Sequence, residues 1–551
     1  MKAAIGKRRS TVLLILSVAV IAAAALVLER FHATLDLSSG GTYSLSAVSR
    51  NLYRDLPDRI HITYYVSPEL EARHPAPRQI EDFLRKYEAV GHGKITVSVA
   101  DPKAESGAIE SLGLLPQRMQ VVVDNEARVA VVYSGIIVQY QDRTEAVPFV
   151  LGLDSLEYDV VKAVNRALTG SQARAAVIVG DGDKNYQNDY QSVDQALQGS
   201  GWQVSVLAPG QEIPAGTTVL LVLGNSGIDD YAAYRIDDYM AKGGRAVMAL
   251  RGLDVQTSYG LQALPLKTDA MNRLLAAWGV TLSSELVLDA SSRTLPFQDA
   301  NPSGGAMIRY VKYPHWIVVQ GADCDRKNPV TAAFPGLDLM WSSPLSVNAP
   351  AGVAVEELVR TTKQAFLQTK NFAIGPSEED LYYSEQDSTK GQYLLAASLS
   401  GSLPMAYAGR PLPTREGAPA LASLPASASP SRLIVVGSAD FATDLMTMTD
   451  SGYNAAFVAN AVEWAAYGPD LAALKVRGTR DTSLSKVADT SRRSLLILFA
   501  FALNILLIPG GLAVFGFVRS RKRKARAQRA EGDAEGSGAT VPGEGSEGGE
   551  K

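Results

Sequence analysis

Between residues 60 and 99 the spacing of apolar positions changes twice. Ile60, Ile62, Tyr64 and Val66 fall on alternate positions, as in a strand with one buried face. Ile80, Phe83, Leu84 and Tyr87 follow the i, i+3, i+4, i+7 stripe of a helix. Ile95, Val97 and Val99 alternate again and stop at Asp101-Pro102. The predicted unit is β-α-β. Two strand-like runs follow, Met119 to Val123 and Arg128 to Tyr140, with the turn Asp124-Asn125-Glu126-Ala127 between them, and they read as a hairpin. A thioredoxin-like domain over residues 30–150 fits this order. It has no Cys-x-x-Cys, which excludes redox work by such a domain.

The pattern changes at about Ser155. Short apolar runs at Ala175–Val179, Val204–Leu207, Val219–Leu223 and Ala246–Leu250 alternate with helical stripes. One stripe carries Val193, Ala196 and Leu197. Another carries Ile236, Tyr239 and Met240, is capped by Asp229 or Asp230, and stops at Gly243-Gly244. The unbroken run Val219–Leu223 suits a strand covered on both faces. Leu433–Val436 and a stripe through Phe457, Ala461, Trp464 and Ala465 return to the same sheet. The expected second domain spans 155–480 as a doubly wound, flavodoxin-like, mostly parallel sheet. An irregular insertion is expected at about 290–431, with a Pro-, Ala- and Ser-rich surface linker at 402–431.

The two ends are of another kind. Residues 11–28 are uncharged and apolar, and Lys2, Lys7, Arg8 and Arg9 precede them. Residues 495–518 are a second uncharged run, followed at once by Arg519, Arg521, Lys522, Arg523, Lys524, Arg526 and Arg529. Both runs are long enough to be read as transmembrane helices, and the basic flanks place residues 1–10 and 519–551 in the cytoplasm. The expectation is therefore a two-pass protein of the inner (plasma) membrane with its body outside. A cleaved signal peptide is the competing reading of the first run, with Ala22 to Ala25 as its small-residue site. After the basic cluster, which could also hold anionic lipid, the tail is rich in Gly and Glu and reads as disordered.

Composition adds exclusions. A net charge of −4 gives no global pull toward nucleic acid, and a lone cysteine, Cys324, forms no disulfide or Cys-based metal cluster. Cys324 stands between Asp323 and Asp325, which oppose a thiolate. No two histidines share an i, i+4 spacing, and His315 reads as an ordinary packed or surface residue. Asp181, Asp183 and Asn185 have the D-x-D-x-N spacing of a calcium loop. Tyr186 and Ser192 stand where that loop needs Gly and Glu, so no metal is expected. The same loop, with Asn225 and Asp440, would lie at the carboxyl edge of the sheet, where doubly wound folds bind ligands. Asp181, Asp183, Asn185, Asn225 and Asp440 are thus the candidate ligand-binding residues. The plain alternative is a set of turn-forming and capping side chains.

Taken in order, the segments resemble the gliding-motility auxiliary (GldG-like) family, extracytoplasmic partners of ABC-2-type permeases. The likeness runs from Leu35-Asp36-Leu37 and Tyr43-Ser44-Leu45-Ser46, through Asp101-Pro102, Glu157-Tyr158-Asp159 and Asn165-Arg166-Ala167-Leu168-Thr169, to Gly437-Ser438-Ala439-Asp440-Phe441 and Asn454 through Trp464. Where that family often carries Gly-His-Gly-Glu, this chain has Gly180-Asp181-Gly182-Asp183. The resemblance implies a non-catalytic auxiliary subunit that works beside a permease and a separate ATPase, without cofactors. The sequence holds no Gly-x-x-x-x-Gly-Lys-Ser/Thr loop. Two other readings stay open from the residues: a membrane-anchored hydrolase or amidotransferase-like enzyme using the sheet's carboxyl edge, and a stand-alone envelope sensor.

Overall fold

The computed structural model describes residues 44–478, apart from short gaps, and scattered positions beyond 493. Residues 1–480 form one compact unit and 481–551 a second. The fold class framed from the sequence needs correction. The protein is mixed α/β with several sheets, and among the described residues no helix is long and apolar enough to cross a membrane. Residues 11–28 lie outside the described residues, as does most of 495–518.

The first lobe is built on helix α1 (Ala47–Arg54), strand β1 (Ile60–Val66), helix α2 (Ala76–Val90) and strand β2 (Ile95–Ala100). Four further strands follow: β3 (Gln117–Val123), β4 (Glu126–Val132), β5 (Ser134–Tyr140) and β6 (Arg143–Val147). Helix α3 (Leu156–Thr169) closes the lobe. The four-stranded sheet runs β2-β1-β5-β6, with β1 and β2 parallel and the other pairs antiparallel. Helix α2 buries Ile80, Phe83, Leu84 and Tyr87 against Ile62, Tyr64 and Val138.

The hairpin that completes this sheet is not the expected one. The long run Arg128–Tyr140 breaks at Tyr133, and β3 and β4 pair with each other as a separate ribbon. The cause is local. The Tyr133 N–H donates to Ser67 Oγ at 2.9 Å, and its carbonyl accepts from the Ser67 N–H at 3.0 Å. Those bonds take the chain out of one strand and start the next.

A remote carboxylate fixes the start of α1. The Glu157 side chain accepts from the Ser46 N–H at 2.7 Å and from the Ser49 hydroxyl at 2.6 Å, while Ser46 Oγ accepts from the Ser49 N–H. Ser46 thus caps the helix, and Glu157 caps it again from α3, satisfying donors that a helix end leaves open.

The second lobe is a nine-stranded sheet. Strands β7 (Arg174–Val179), β8 (Gln203–Leu207), β9 (Val219–Leu223) and β10 (Arg245–Ala249) belong to it. So do β11 (Val280–Leu282), β12 (Leu345–Val347), β13 (Ala354–Arg360), β14 (Leu394–Gly401) and β15 (Ser431–Val436). The order is β11-β12-β14-β15-β10-β9-β7-β8, with β13 paired to β14. Strands β8, β7, β9, β10 and β15 are parallel; β14, β12, β11 and β13 add antiparallel pairings, so the sheet is mixed rather than mostly parallel.

Helices cover both faces. Helix α4 (Gln191–Gly199) lies on one face. Helices α5 (Asp230–Ala241) and α6 (Ala270–Ala277) lie on the other. Helix α7 (Tyr453–Tyr467) shares the face of α4. All five residues of β9 are buried because both of its faces are covered.

Residues 290–431 are more regular than the sequence reading had them. They hold β12, β13 and β14 and a three-stranded sheet of Ser292–Ala300, Ala306–Gln320 and Gly336–Met340. The stretch 402–431 is held to the body at several points. Leu403, Tyr407 and Leu421 are buried, and α5 is strapped to it by Tyr231 Oη donating to the Pro419 carbonyl (2.8 Å) and Tyr234 Oη donating to the Ala422 carbonyl (2.6 Å).

Replacing Glu157 with Ala leaves a half-buried N–H and a buried hydroxyl without their acceptor, at a cost of about 2 kcal/mol. Urea unfolding of Glu157→Ala should show that loss with an unchanged m-value; a midpoint equal to the parent's would refute the role given to Glu157 here.

Candidate functional site

Because β7 lies between β8 and β9, the connections leaving β7 and β9 run to opposite sides. The loops at their carboxyl ends part there and leave a crevice, the usual ligand position of an open α/β sheet. Gly180-Asp181 follows β7, Gly224-Asn225 follows β9, Arg251 follows β10, and Ser438 to Asp440 follows β15. Four of these side chains meet below the surface: Asp181 and Asn225 are 1% exposed, Arg251 and Asp440 3%.

The glycines make the approach possible. Gly224 takes φ +80, a left-handed conformation open to glycine at little cost, and a Cβ there would collide with the Asp181 carboxyl. The loop it starts turns its N–H groups inward. Asp181 Oδ1 accepts from the Asn225 N–H (3.0 Å), the Ser226 N–H (3.0 Å) and the Ser226 hydroxyl (2.9 Å). Successive N–H groups in such a turn form a concave anion-binding nest. Here the anion is the protein's own carboxylate.

Arg251 supplies the opposite charge. Its Nη2 lies 2.7 Å from Asp181 Oδ2 and 3.4 Å from both Asp440 oxygens. Its Nη1 is 3.6 Å from Asp254. The Asp181 contact is a charge pair rather than an aligned hydrogen bond, since Oδ2 has no hydrogen-bond partner among the described residues. The Asn225 side chain holds the Arg251 backbone: its Oδ1 accepts from the Arg251 N–H at 2.9 Å and its Nδ2 donates to the Arg251 carbonyl at 3.1 Å. Burial opposes the charge on Arg251, but Asp440 and Asp181 outweigh it and the guanidinium pKa rises. Burial lifts the Asp440 carboxyl above the usual carboxylate range, with Arg251 pulling the other way and Asp181 adding to the rise. Tyr190 stands close by, with a buried hydroxyl that has no hydrogen-bond partner among the described residues. Burial first, and then the fields of Asp181 and Asp440, push its pKa up.

Three of the five residues singled out from the sequence therefore come together: Asp181, Asn225 and Asp440. Asp183 does not join them; its side chain is 65% exposed and lies 3.7 Å from Lys184. Asn185 caps the short helix Tyr186–Asp189, its side chain accepting from the Gln187 N–H at 2.9 Å. Arg251 and Tyr190 were missed. An arginine just past an apolar strand was the available signal for Arg251, since it falls on the same edge as the aspartates. Among the described residues no group of three or more His, Cys, Asp or Glu side chains could hold a metal ion.

The other candidates sit elsewhere. His315 is fully buried, its Nε2 3.0 Å from Gln368 Oε1, and burial pulls its pKa down to about 4, so it is packed and neutral. Burial, then Asp323, pushes the Cys324 thiol up to about 11, the reverse of what a nucleophile needs.

The family described as "ABC-type uncharacterized transport system" has a model that matches residues 172–462, and one described as "Domain of unknown function" matches 39–139. A chain of Borreliella burgdorferi, described as an uncharacterized protein, is 23% identical over 506 residues, 89% of this chain and 94% of that one. Among solved structures, a thuA-like protein from Parabacteroides merdae aligns with 54% of this chain and 91% of its own, at 12% identity and a TM-score of 0.26. One from Bacteroides uniformis aligns with 55% and 96%, at 8% identity and a TM-score of 0.29. Likenesses that loose carry no argument about function.

The crevice gives two predictions. In Asp181→Asn the amide can turn its oxygen to the nest, but its NH2 then faces Arg251, donor against donor. The loss should be about 3 kcal/mol in equilibrium unfolding. In Asp440→Asn the sign depends on pH. The raised pKa of Asp440 means its favourable contribution is complete below the unfolded value of 3.8 and fades as pH rises through the folded pKa. The stability of Asp440→Asn relative to the parent should therefore improve as pH rises from 3 to 7. A flat or falling difference would show that Arg251 governs the ionisation of Asp440.

Proposed function

This chain belongs to the ABC-type uncharacterized transport system family, and from that premise we propose that it is a non-catalytic auxiliary subunit that binds the permease of an ABC-type exporter. The observation that carries the reading at the site is the Asp181–nest–Arg251 arrangement. The place where a doubly wound sheet would receive a ligand is filled by a carboxylate of the chain itself, accepting three hydrogen bonds and facing a buried arginine. A crevice closed in this way suits a body that transmits or presents a surface better than one that turns over a substrate. The order of motifs from Leu35-Asp36-Leu37 to Trp464 supports the GldG-like branch with an ABC-2-type permease and a separate ATPase as partners.

The reading also puts the protein at the inner membrane with residues 44–478 on the extracytoplasmic side. The basic clusters at residues 2–9 and 519–529 support it, because such clusters are retained in the cytoplasm and attracted to anionic lipid.

Tagged protein captured from cells in a mild detergent should bring down an ABC permease and its ATPase, identified by mass spectrometry. A preparation that contains neither ends this reading. Alkaline phosphatase fused after Ala300 should be active. Green fluorescent protein fused at the same place that glows in the cytoplasm would overturn the location while leaving the partner question open.

A further inference from the structure

The backbone crosses between the two lobes twice, and each time it leaves a helix through a glycine at positive φ. Helix α3 ends the first lobe's sheet-covering layer and is followed by Gly170 at φ +64. Helix α7 ends in the second lobe and is followed by Gly468 at φ +87, then by helix α8 (Pro469–Gly478). Helix α8 returns to the first lobe, where Leu471 and Leu474 join its core. At each crossing an arginine lies over the glycine and caps the helix just ended. Arg143 Nη1 donates to the Ala167 and Leu168 carbonyls at 3.2 and 2.9 Å. Arg432 Nη2 donates to the Ala466 carbonyl at 2.8 Å. A Cβ at Gly170 would run into the Arg143 guanidinium, and one at Gly468 into that of Arg432. Each arginine belongs to the same lobe as the helix it caps. Both helices are therefore held rigid up to their last turn, and the freedom of the chain falls on the glycine that follows.

Between the crossings the lobes meet across a cleft bridged by charged side chains. It is a cavity of about 340 Å³ lined by Pro148, Tyr158, Asp159, Arg166, Ser200 and Glu463, among others. Lys162 of α3 spans it, its Nζ 2.9 Å from Glu463 Oε1 of α7 and donating to the Ser200 carbonyl at 2.9 Å. The pair is buried, with side-chain exposures of 11% and 4%. Arg166 Nη2 donates to the Gly201 carbonyl at 2.6 Å. Charged and amide groups of this kind exchange protein partners for water at small net cost, whereas an apolar seam would not. Among its described side chains α8 sets Ala472 against the sheet-lobe core, and Tyr467 at the end of α7 packs against the cores of both lobes.

We propose that Gly170 and Gly468 are the two pivots of a rotation of the first lobe, together with α8, against the sheet lobe, and that the Lys162–Glu463 pair is the catch that holds the closed arrangement. Two glycine pivots define one axis, so the motion is a hinge rather than a loosening. Both α1 and α8 belong to the first lobe, so both ends of the described body, near residues 44 and 478, travel with it. A pull on either end is thereby felt at the cleft. The hinge goes beyond the auxiliary-subunit reading and does not depend on it, since it is a property of the isolated body.

The test is pulsed electron–electron resonance on the full chain. Nitroxides are placed at Arg85→Cys on α2 and Arg326→Cys in the sheet lobe, both exposed, in a Cys324→Ser background. The parent should give one distance. Lys162→Gln/Glu463→Gln, which removes both charges and strands neither, should add a second, longer population, and Gly468→Ala in that background should enlarge it, because the closed arrangement holds residue 468 at φ +87, where a Cβ meets the Arg432 guanidinium. Glu463→Asp, shorter by one methylene, is the milder variant and should show the same second population in smaller amount. A single parental distance in whichever of these variants folds, as judged by circular dichroism, overturns the proposal. Co-purification of the permease is read separately, so a rigid body would leave that reading standing, and an absent permease would leave the hinge standing.

Discussion

An arginine that is 3% exposed is the constraint around which the second lobe's carboxyl edge is arranged. A guanidinium charge taken from water is costly unless opposite charge and hydrogen bonds meet it. Asp181 and Asp440 bring the charge from the ends of two different strands, and Asn225 grips the arginine's own peptide groups from a third. The loops after β7, β9, β10 and β15 therefore cannot move independently. The glycine at 224 follows from this: the carboxyl of Asp181 occupies the space that any side chain there would take.

The same economy recurs where the sequence resemblance was most evident. Glu157, in the Glu-Tyr-Asp segment, ties α3 to the Ser46 cap of α1. Asn454, at the head of α7, donates to the Asp338 and Phe441 carbonyls and accepts from the Asp338 N–H. Asp338 in turn receives Arg293 and the Trp316 indole N–H. Short polar motifs in this chain are fasteners between segments far apart in sequence, which is why each looks unspecific when read alone. A fastener needs only one correct residue at each of its ends.

Local periodicity made part of the architecture legible. The alternation at Ile60–Val66, the stripe Ile80–Tyr87 and the solid run Val219–Leu223 each report their own burial, because a residue's neighbours one turn or one pleat away share its environment. What pairs with what was less legible. Tyr133 splits a run that looks continuous because Ser67, sixty-six residues earlier, binds its backbone. The antiparallel strands between 345 and 401 were read as irregular because they find their partners across long separations. At the crevice the aspartates and Asn225 stood out by their place after strands. Arg251 did not, since an arginine after a strand is ordinary until two buried acids point at it. Asp183 shared the spacing of Asp181 but faces solvent, as alternate positions in a turn do.

The segment 402–431, held over α5 by two tyrosine hydroxyls, has a further consequence. It contains six prolines, at 404, 411, 413, 419, 425 and 430, and a proline has no N–H to offer. The tyrosines need only carbonyls, which this segment supplies in full, so it can lie flat on the helix without becoming a strand. It also gives a passing extended chain too few donors to zip onto, and a long surface connection thus escapes the risk of sheet extension between molecules. The stiff imide bonds narrow the wandering of the unfolded chain as well, so fastening thirty residues to the surface gives up less disorder than their length suggests.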